Sequence, residues 1–323
     1  MEEKHRSSTF RNMVVCLAMI SLLAGAVAFG QSAEKPDVVG TSYGKFYIVG
    51  MGTAPDLITV RALDAVKSAD VIIVHDPQGL EDWKDLIGQK EAWIFERYNL
   101  VYYGTDLSTL ENADEKQLAE EHQAACCNII SKVRAALEQG QTVAVLEGGD
   151  PMMYGVTFYL EKLPKDVSSE IIPGVGAFQA ASAALKMTPV YGWDTNAVIL
   201  TMADWPGRVD TNEKLMGTES SMVFYTMHLD YTQLFAELKR HYPQDTPVAI
   251  VCYAGDRQRQ QVLTSTVGRF LDEVKLIDVP IDAHMLFVGK FLTAGQARKD
   301  GLRGGMRFID RMRYENRQSE EEN

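Results

Sequence analysis

With 323 residues, 46% of them hydrophobic, the chain is long enough for two domains or one large α/β domain and too apolar for wholesale disorder. Its formal net charge of −12 argues against nucleic acid and anionic membrane surfaces as partners. An anionic small molecule would need a local pocket of cations or backbone amides.

The first twelve residues set Lys4, Arg6 and Arg11 against Glu2 and Glu3. The apolar run MVVCLAMISLLAGAVAFG follows, with small residues at Ala26 and Ala28. This order of basic segment, apolar run and small-x-small site predicts a signal peptide over residues 1–28 and an exported or periplasmic protein. The alternative is a retained membrane anchor, because 18 residues is near the minimum for a span. Residues 29–43 read as a polar linker.

The run KFYIVGMG reads as a buried strand that stops at glycines, and DLITVRALDAVKSA has helical spacing of Leu57, Val60, Leu63 and Val66. DVIIVHD reads as a second buried strand. Strand, helix, strand with continuous Val/Ile runs predicts a parallel sheet covered on both faces. Residues 79–115 give no clear pattern. EKQLAEEHQAACCNIISKVRAALEQG predicts a helix ending at Gly140. TVAVLEGGD predicts a strand, with a helix after it through Tyr159, and SSEIIPGVGAFQAASAALKM a strand, a glycine turn and a helix. Near residue 190 the pattern changes. NAVILTM, SMVFYTM, PVAIVCYA, QQVLTSTV and MLFVGKFL are strand candidates around one clear helix, DYTQLFAELKRHY, which predicts a mixed sheet. The expected organisation is therefore two α/β domains, 44–189 and 190–297, with a charged tail over 298–323. Cys16, Cys126, Cys127 and Cys252 have neither a disulfide framework nor zinc-ligand spacing, so no metal is expected.

Three glycine turns follow strands: Gly50-Met51-Gly52, Gly148-Gly149-Asp150-Pro151 and Pro173-Gly174-Val175-Gly176-Ala177. In open α/β sheets, ligands bind at the carboxyl ends of the strands. Glycine lets backbone approach a ligand closely, and its amides can donate to carboxylate or ribose oxygens. Each turn alone is also what an ordinary strand-to-helix connection looks like. His75-Asp76, ending the second strand, is a weak candidate dyad, since adjacent strand residues point to opposite faces.

Taken in order, VGMGTAPDLITVRALDAVKSADVIIV, VLEGGDPMMYG, IIPGVGAFQAASAALKMTPV and PVAIVCYAGDRQRQQVLTSTVGRF resemble successive motifs of the tetrapyrrole methylases over about residues 44–292. PVYGWDTNAVILTMADWPGR looks most like the precorrin-4 carbon-11 branch. The resemblance implies two α/β domains with the cofactor S-adenosyl-L-methionine folded between them, a tetrapyrrole substrate and a homodimer. It places Gly148, Gly149, Asp150, Met153, Gly176, Ala177, Thr226, Met227 and Ala254 at the cofactor. Gly50, Gly52, Thr53, Asp56 and Arg61 would face the substrate. Asp56 is the candidate catalytic base; its alternative role is a helix N-cap. Arg61, Lys45 and, further off, Arg208 and Arg257 are candidate partners for substrate carboxylates. Two departures stand out. The first loop, GMGTAPDL, is one residue shorter than usual and lacks a glycine. Gly176 stands where a Ser or Thr is usual. An exported carrier on the same fold is the rival to an enzyme.

Overall fold

The computed structural model describes residues 43–155, 157–190 and 197–293. The expected signal segment, most of the linker and the charged tail lie outside them. Among the described residues no helix is long and apolar enough to cross a membrane.

The first sheet has five parallel strands: β1 (Phe46–Gly50), β2 (Val71–Val74), β3 (Glu91–Ile94), β4 (Val143–Glu147) and β5 (Ser169–Ile172), in the order β3-β2-β4-β1-β5. Every residue of β2 and β4 is buried, whereas the edge strands β3 and β5 expose side chains. That burial is what the continuous Val/Ile runs require: a parallel strand with both faces covered has no polar side.

Helix α1 (Val60–Ser68) packs Ala62 and Val66 with Val49, Ile72 and Leu146 on one face of the sheet. On the other face, α4 (Ala113–Glu138) packs Cys126, Ile129, Val133 and Leu137 with Phe46, Ile48, Ile73 and Val145. Two short helices, α2 (Pro77–Asp82) and α3 (Lys84–Ile87), fill part of the stretch without sequence pattern. Asn112 caps α4 through the Glu115 amide at 2.9 Å.

Helix α1 starts later than its apolar spacing suggests. Residues Pro55–Leu57 form a separate 3-10 turn, and Thr59 is the N-cap, accepting from the Ala62 amide at 3.1 Å. The hydroxyl stops the helix at Val60, so Asp56 is not the cap. The helix expected through Tyr159 is also shorter: Pro151–Tyr154 is a turn, and α5 covers only Phe158–Lys162.

The second sheet joins β6 (Val198–Thr201), β7 (Ser221–Tyr225), β8 (Pro247–Cys252), β9 (Gln261–Thr266) and β10 (His284–Val288) in the order β6-β7-β10-β8-β9. Only β6 and β7 are parallel, so this sheet is mixed. Short helices α7 (Asn212–Met216) and α9 (Phe270–Glu273) accompany α8 (Tyr231–His241), which buries Leu234, Phe235 and Leu238 against one face. The other face packs Val223, Ala249, Val251 and Phe287 on α6 (Ala177–Leu185), the helix that leaves the first sheet. Both sheets belong to one compact unit that begins at Tyr43. Cys126 and Cys252 are buried free thiols and Cys127 is exposed.

Candidate functional site

The ends of β1, β4 and β5 come together through their glycines. A Cβ on Gly50 would lie 2.4 Å from the Gly174 nitrogen, and one on Gly174 would lie 2.1 Å from the Gly149 oxygen. Three backbones therefore meet at distances that only glycine permits. Gly52 and Gly149 clasp each other with two backbone hydrogen bonds, 3.2 and 2.8 Å long. These turns form one rigid floor at the carboxyl ends of the strands.

Above that floor lies a cavity of about 660 Å³, within the size range of small-molecule sites. The first sheet contributes Gly52, Thr53, Gly148, Gly149, Asp150 and Met153 to its wall. Gly176 and Ala177 come from the start of α6, and Tyr225, Thr226, Met227, Ala254 and His284 from the second sheet. All nine residues expected at the cofactor thus line a single cavity. Gly176 is the N-cap of α6 and offers no side-chain cap, so the first-turn amides lack a hydroxyl partner. Asp150 accepts from the Met152 amide at 2.7 Å, which folds the turn.

Three buried wall atoms have no hydrogen-bond partner within the protein: Thr53 Oγ1, Tyr225 OH and His284 Nδ1. Native structures leave few such groups, although the Pro280 carbonyl lies close enough to His284 to act on its titration. Burial, with smaller effects from Tyr154 and Asp150, pushes the Tyr225 phenol up to about 12, so it stays a proton donor. Burial likewise raises Tyr231, whose hydroxyl lies 2.5 Å from His284 Nε2. The protonated phenol donates to Nε2, which leaves the hydrogen on Nδ1. Burial lowers the pKa of His284, against the smaller opposing effects of the Pro280 carbonyl and Asp282. The residues of the wall therefore include an un-ionised phenol and an imidazole held neutral by burial, beside the charged side chains of Asp150, Asp256 and Arg259.

The family model for the tetrapyrrole (corrin/porphyrin) methylases matches residues 45–270. The chain belongs to this family. The cobalt-precorrin-4 C(11)-methyltransferase of Methanocaldococcus jannaschii is 27% identical over 255 residues, 77% of this chain and 88% of that one. The namesake from Priestia megaterium is 29% identical over 252 residues, 75% and 86% of the two chains. Among solved structures, a cobalt precorrin-4 methyltransferase superposes with a TM-score of 0.57 at 23% identity, over 77% of this chain and 95% of that one. The uroporphyrin-III C-methyltransferase of Thermus thermophilus complexed with S-adenyl homocysteine gives 0.54 at 18% identity, over 77% and 93%. These two likenesses establish the tetrapyrrole methylase fold.

Not every residue expected to face the substrate reaches the cavity of this tetrapyrrole methylase. Gly52 and Thr53 do, but Gly50 is buried in the glycine contact beneath it. Asp56 lies in the 3-10 turn, off the cavity wall, and its Oδ2 is 2.5 Å from Arg257 Nε on the β8–β9 connection. Arg61 is 71% exposed and pairs with Glu170 at 3.4 Å. Lys45 precedes β1, at the opposite end of the strand from the turns. Arg208 is held by Asp204 and Asp210. The His75-Asp76 dyad does not form: Asp76 caps α2 through the Gly79 amide at 2.7 Å, while His75 turns to Glu147 at 2.9 Å.

Sequence reading missed Tyr225 and His284 on the wall, and Trp83 and Asp82 at its rim. Tyr225 ends the strand before Thr226 and could have been found as its neighbour. Trp83 lies in the stretch that showed no periodicity.

Proposed function

We propose that this tetrapyrrole methylase transfers a methyl group from S-adenosyl-L-methionine to a ring carbon of a tetrapyrrole. The precorrin-4 C(11) type is the best-supported branch. The single observation that carries the reading is the cavity floored by the Gly52–Gly149 clasp and walled by all nine expected cofactor residues, in a chain of this family. The precorrin-4 branch rests on the 27% and 29% identical relatives.

The residues present fit that cofactor. A Cβ on Gly148 would meet nothing within 4 Å, so the backbone there is open to close approach. The uncapped first turn of α6 offers amides and a positive dipole end to a carboxylate. Met153, Met227, Val251, Ala254 and Met285 give the wall an apolar portion, with Asp256, Arg259 and Asp282 also on it.

When bound, S-adenosyl-L-methionine supplies an electrophilic methyl on a sulfonium. The protein's part is then to hold the two reactants in line and desolvated. A neutral imidazole and a protonated phenol suit this task, because neither places a cation beside the sulfonium. No carboxylate of the Asp56 kind is required for the attack of an enamine-like pyrrole carbon. Calorimetric titration with S-adenosylmethionine and S-adenosylhomocysteine tests the reading directly.

A second reading, an exported tetrapyrrole carrier, is favoured by the apolar run after the basic N-terminus and by the shortened first loop. N-terminal sequencing separates the two: a mature start near Phe29 supports export, and an intact Met1 on soluble cytoplasmic protein removes it. The homodimer implied by the resemblance is tested by sedimentation.

A further inference from the structure

Outside the cavity, three charged or titratable side chains meet at the same strand-end edge. Glu147 ends β4 and is fully buried, with 0% of its side chain exposed. His75 follows β2 and Arg97 follows β3, the two strands lateral to β4. A buried carboxylate needs partners. Glu147 Oε1 lies 2.9 Å from His75 Nε2, and Oε2 accepts from Arg97 Nη2. His75 Nδ1 lies 3.1 Å from the Phe95 carbonyl, which can only accept, so Nδ1 carries a hydrogen. Glu147 thus divides its two oxygens between His75 and Arg97, and both contacts fix it in place.

Arg97 is the exposed member, with 45% of its side chain open to solvent. A guanidinium has five N–H donors. Here one nitrogen meets Glu147 and another meets the Tyr154 carbonyl at 3.3 Å. Tyr154 links this cluster to the cavity: its half-exposed ring packs edge-on to Tyr225 with centroids 5.0 Å apart, and Tyr225 lines the wall. Arg61, Arg257, Arg208 and Arg259 pair with carboxylates that are themselves partly exposed, whereas the carboxylate under Arg97 is fully buried and holds the guanidinium from beneath; Lys45 is at the wrong end of its strand.

We propose that Arg97, held from beneath by Glu147 and His75, is a docking site for a carboxylate of the ligand that lies over Tyr154. The site explains how a chain of net charge −12 holds a polyanionic macrocycle. It presents the remaining N–H donors of a guanidinium held in place by Glu147 and the Tyr154 carbonyl, at the ligand edge of the sheet. The inference rests on the tetrapyrrole reading and names one contact of that same substrate.

The test is absorbance titration of uroporphyrin III, with its methyl ester as the uncharged control and S-adenosylhomocysteine calorimetry as the control for the cavity. Arg97→Gln alone leaves the buried Glu147 with only His75 beside it and can destabilise the protein. The double variant Arg97→Gln/Glu147→Gln removes both charges together. It should bind uroporphyrin III at least tenfold more weakly and S-adenosylhomocysteine within twofold of the parent. Glu147→Gln alone frees Arg97 and should bind uroporphyrin III as tightly or more tightly; a purely structural cluster would lose affinity there. Equal uroporphyrin III affinity in parent and double variant overturns the docking site and leaves the substrate class standing. So does methyl ester binding that falls in parallel, or loss of both ligands together. A parent that binds no uroporphyrin III overturns both.

Discussion

At Gly148 a Cβ would meet open space, whereas Gly149 has φ +71, a conformation strained for any β-branched residue. Gly148→Val is therefore the cleaner probe of the cavity. It should weaken S-adenosylhomocysteine at least tenfold by calorimetry with little change in thermal midpoint, whereas Gly149→Val mixes lost binding with backbone strain. Asp56 offers a second contrast. Its pairing with Arg257 predicts that Asp56→Asn slows turnover less than tenfold. Removal of a general base would cost about 10²–10⁴-fold, and a loss of that size would restore it to the chemistry. His284 gives a pH signature. Burial lowers its folded pKa below the ordinary 6.5, so between that folded value and 6.5 the unfolded chain binds more protons. The His284 contribution to stability is then present above 6.5 and lost as pH falls through that window. Urea midpoints measured from neutral to mildly acidic pH should fall less steeply in His284→Gln than in the parent; parallel curves would contradict the assignment.

Among the elements, α8 shows how sequence pattern becomes stability. Asp230 accepts from the Gln233 amide at 3.0 Å as N-cap, and Lys239, Arg240 and His241 close the last turn. Phe235 is fully buried and stacks on Phe270 with centroids 4.1 Å apart. Phe235→Ala should lower unfolding stability by about 3–5 kcal/mol in urea; a loss below about 1 kcal/mol would mean that this face is not packed as described. The same logic made most elements legible. The Val/Ile runs of β1, β2 and β4 are continuous because both faces are covered, and the five strand candidates of the second half all lie in the mixed sheet. What escaped were elements set by single side chains. Thr59 moved the start of α1 by capping it, and α2 and α3 are too short to show a period.

For the whole molecule, the ordered glycine turns carried the fold and the floor of the cavity, because close backbone approach demands glycine and glycine is visible in sequence. The substrate side was harder to read. Side-chain pairings formed across long sequence separations, such as Asp56 with Arg257 and Glu147 with His75 and Arg97, decide where charged groups are held. No local spacing reveals such pairs. The central claim is that the glycine-floored cavity holds S-adenosylmethionine. Calorimetric titration of the purified chain with S-adenosylhomocysteine tests it most directly. The account predicts saturable binding with a Kd well below 1 mM, a free energy more favourable than about −4.1 kcal/mol, that is lost in Gly148→Val. Absence of saturable heat at that concentration in the folded parent, or equal binding by the variant, would contradict it.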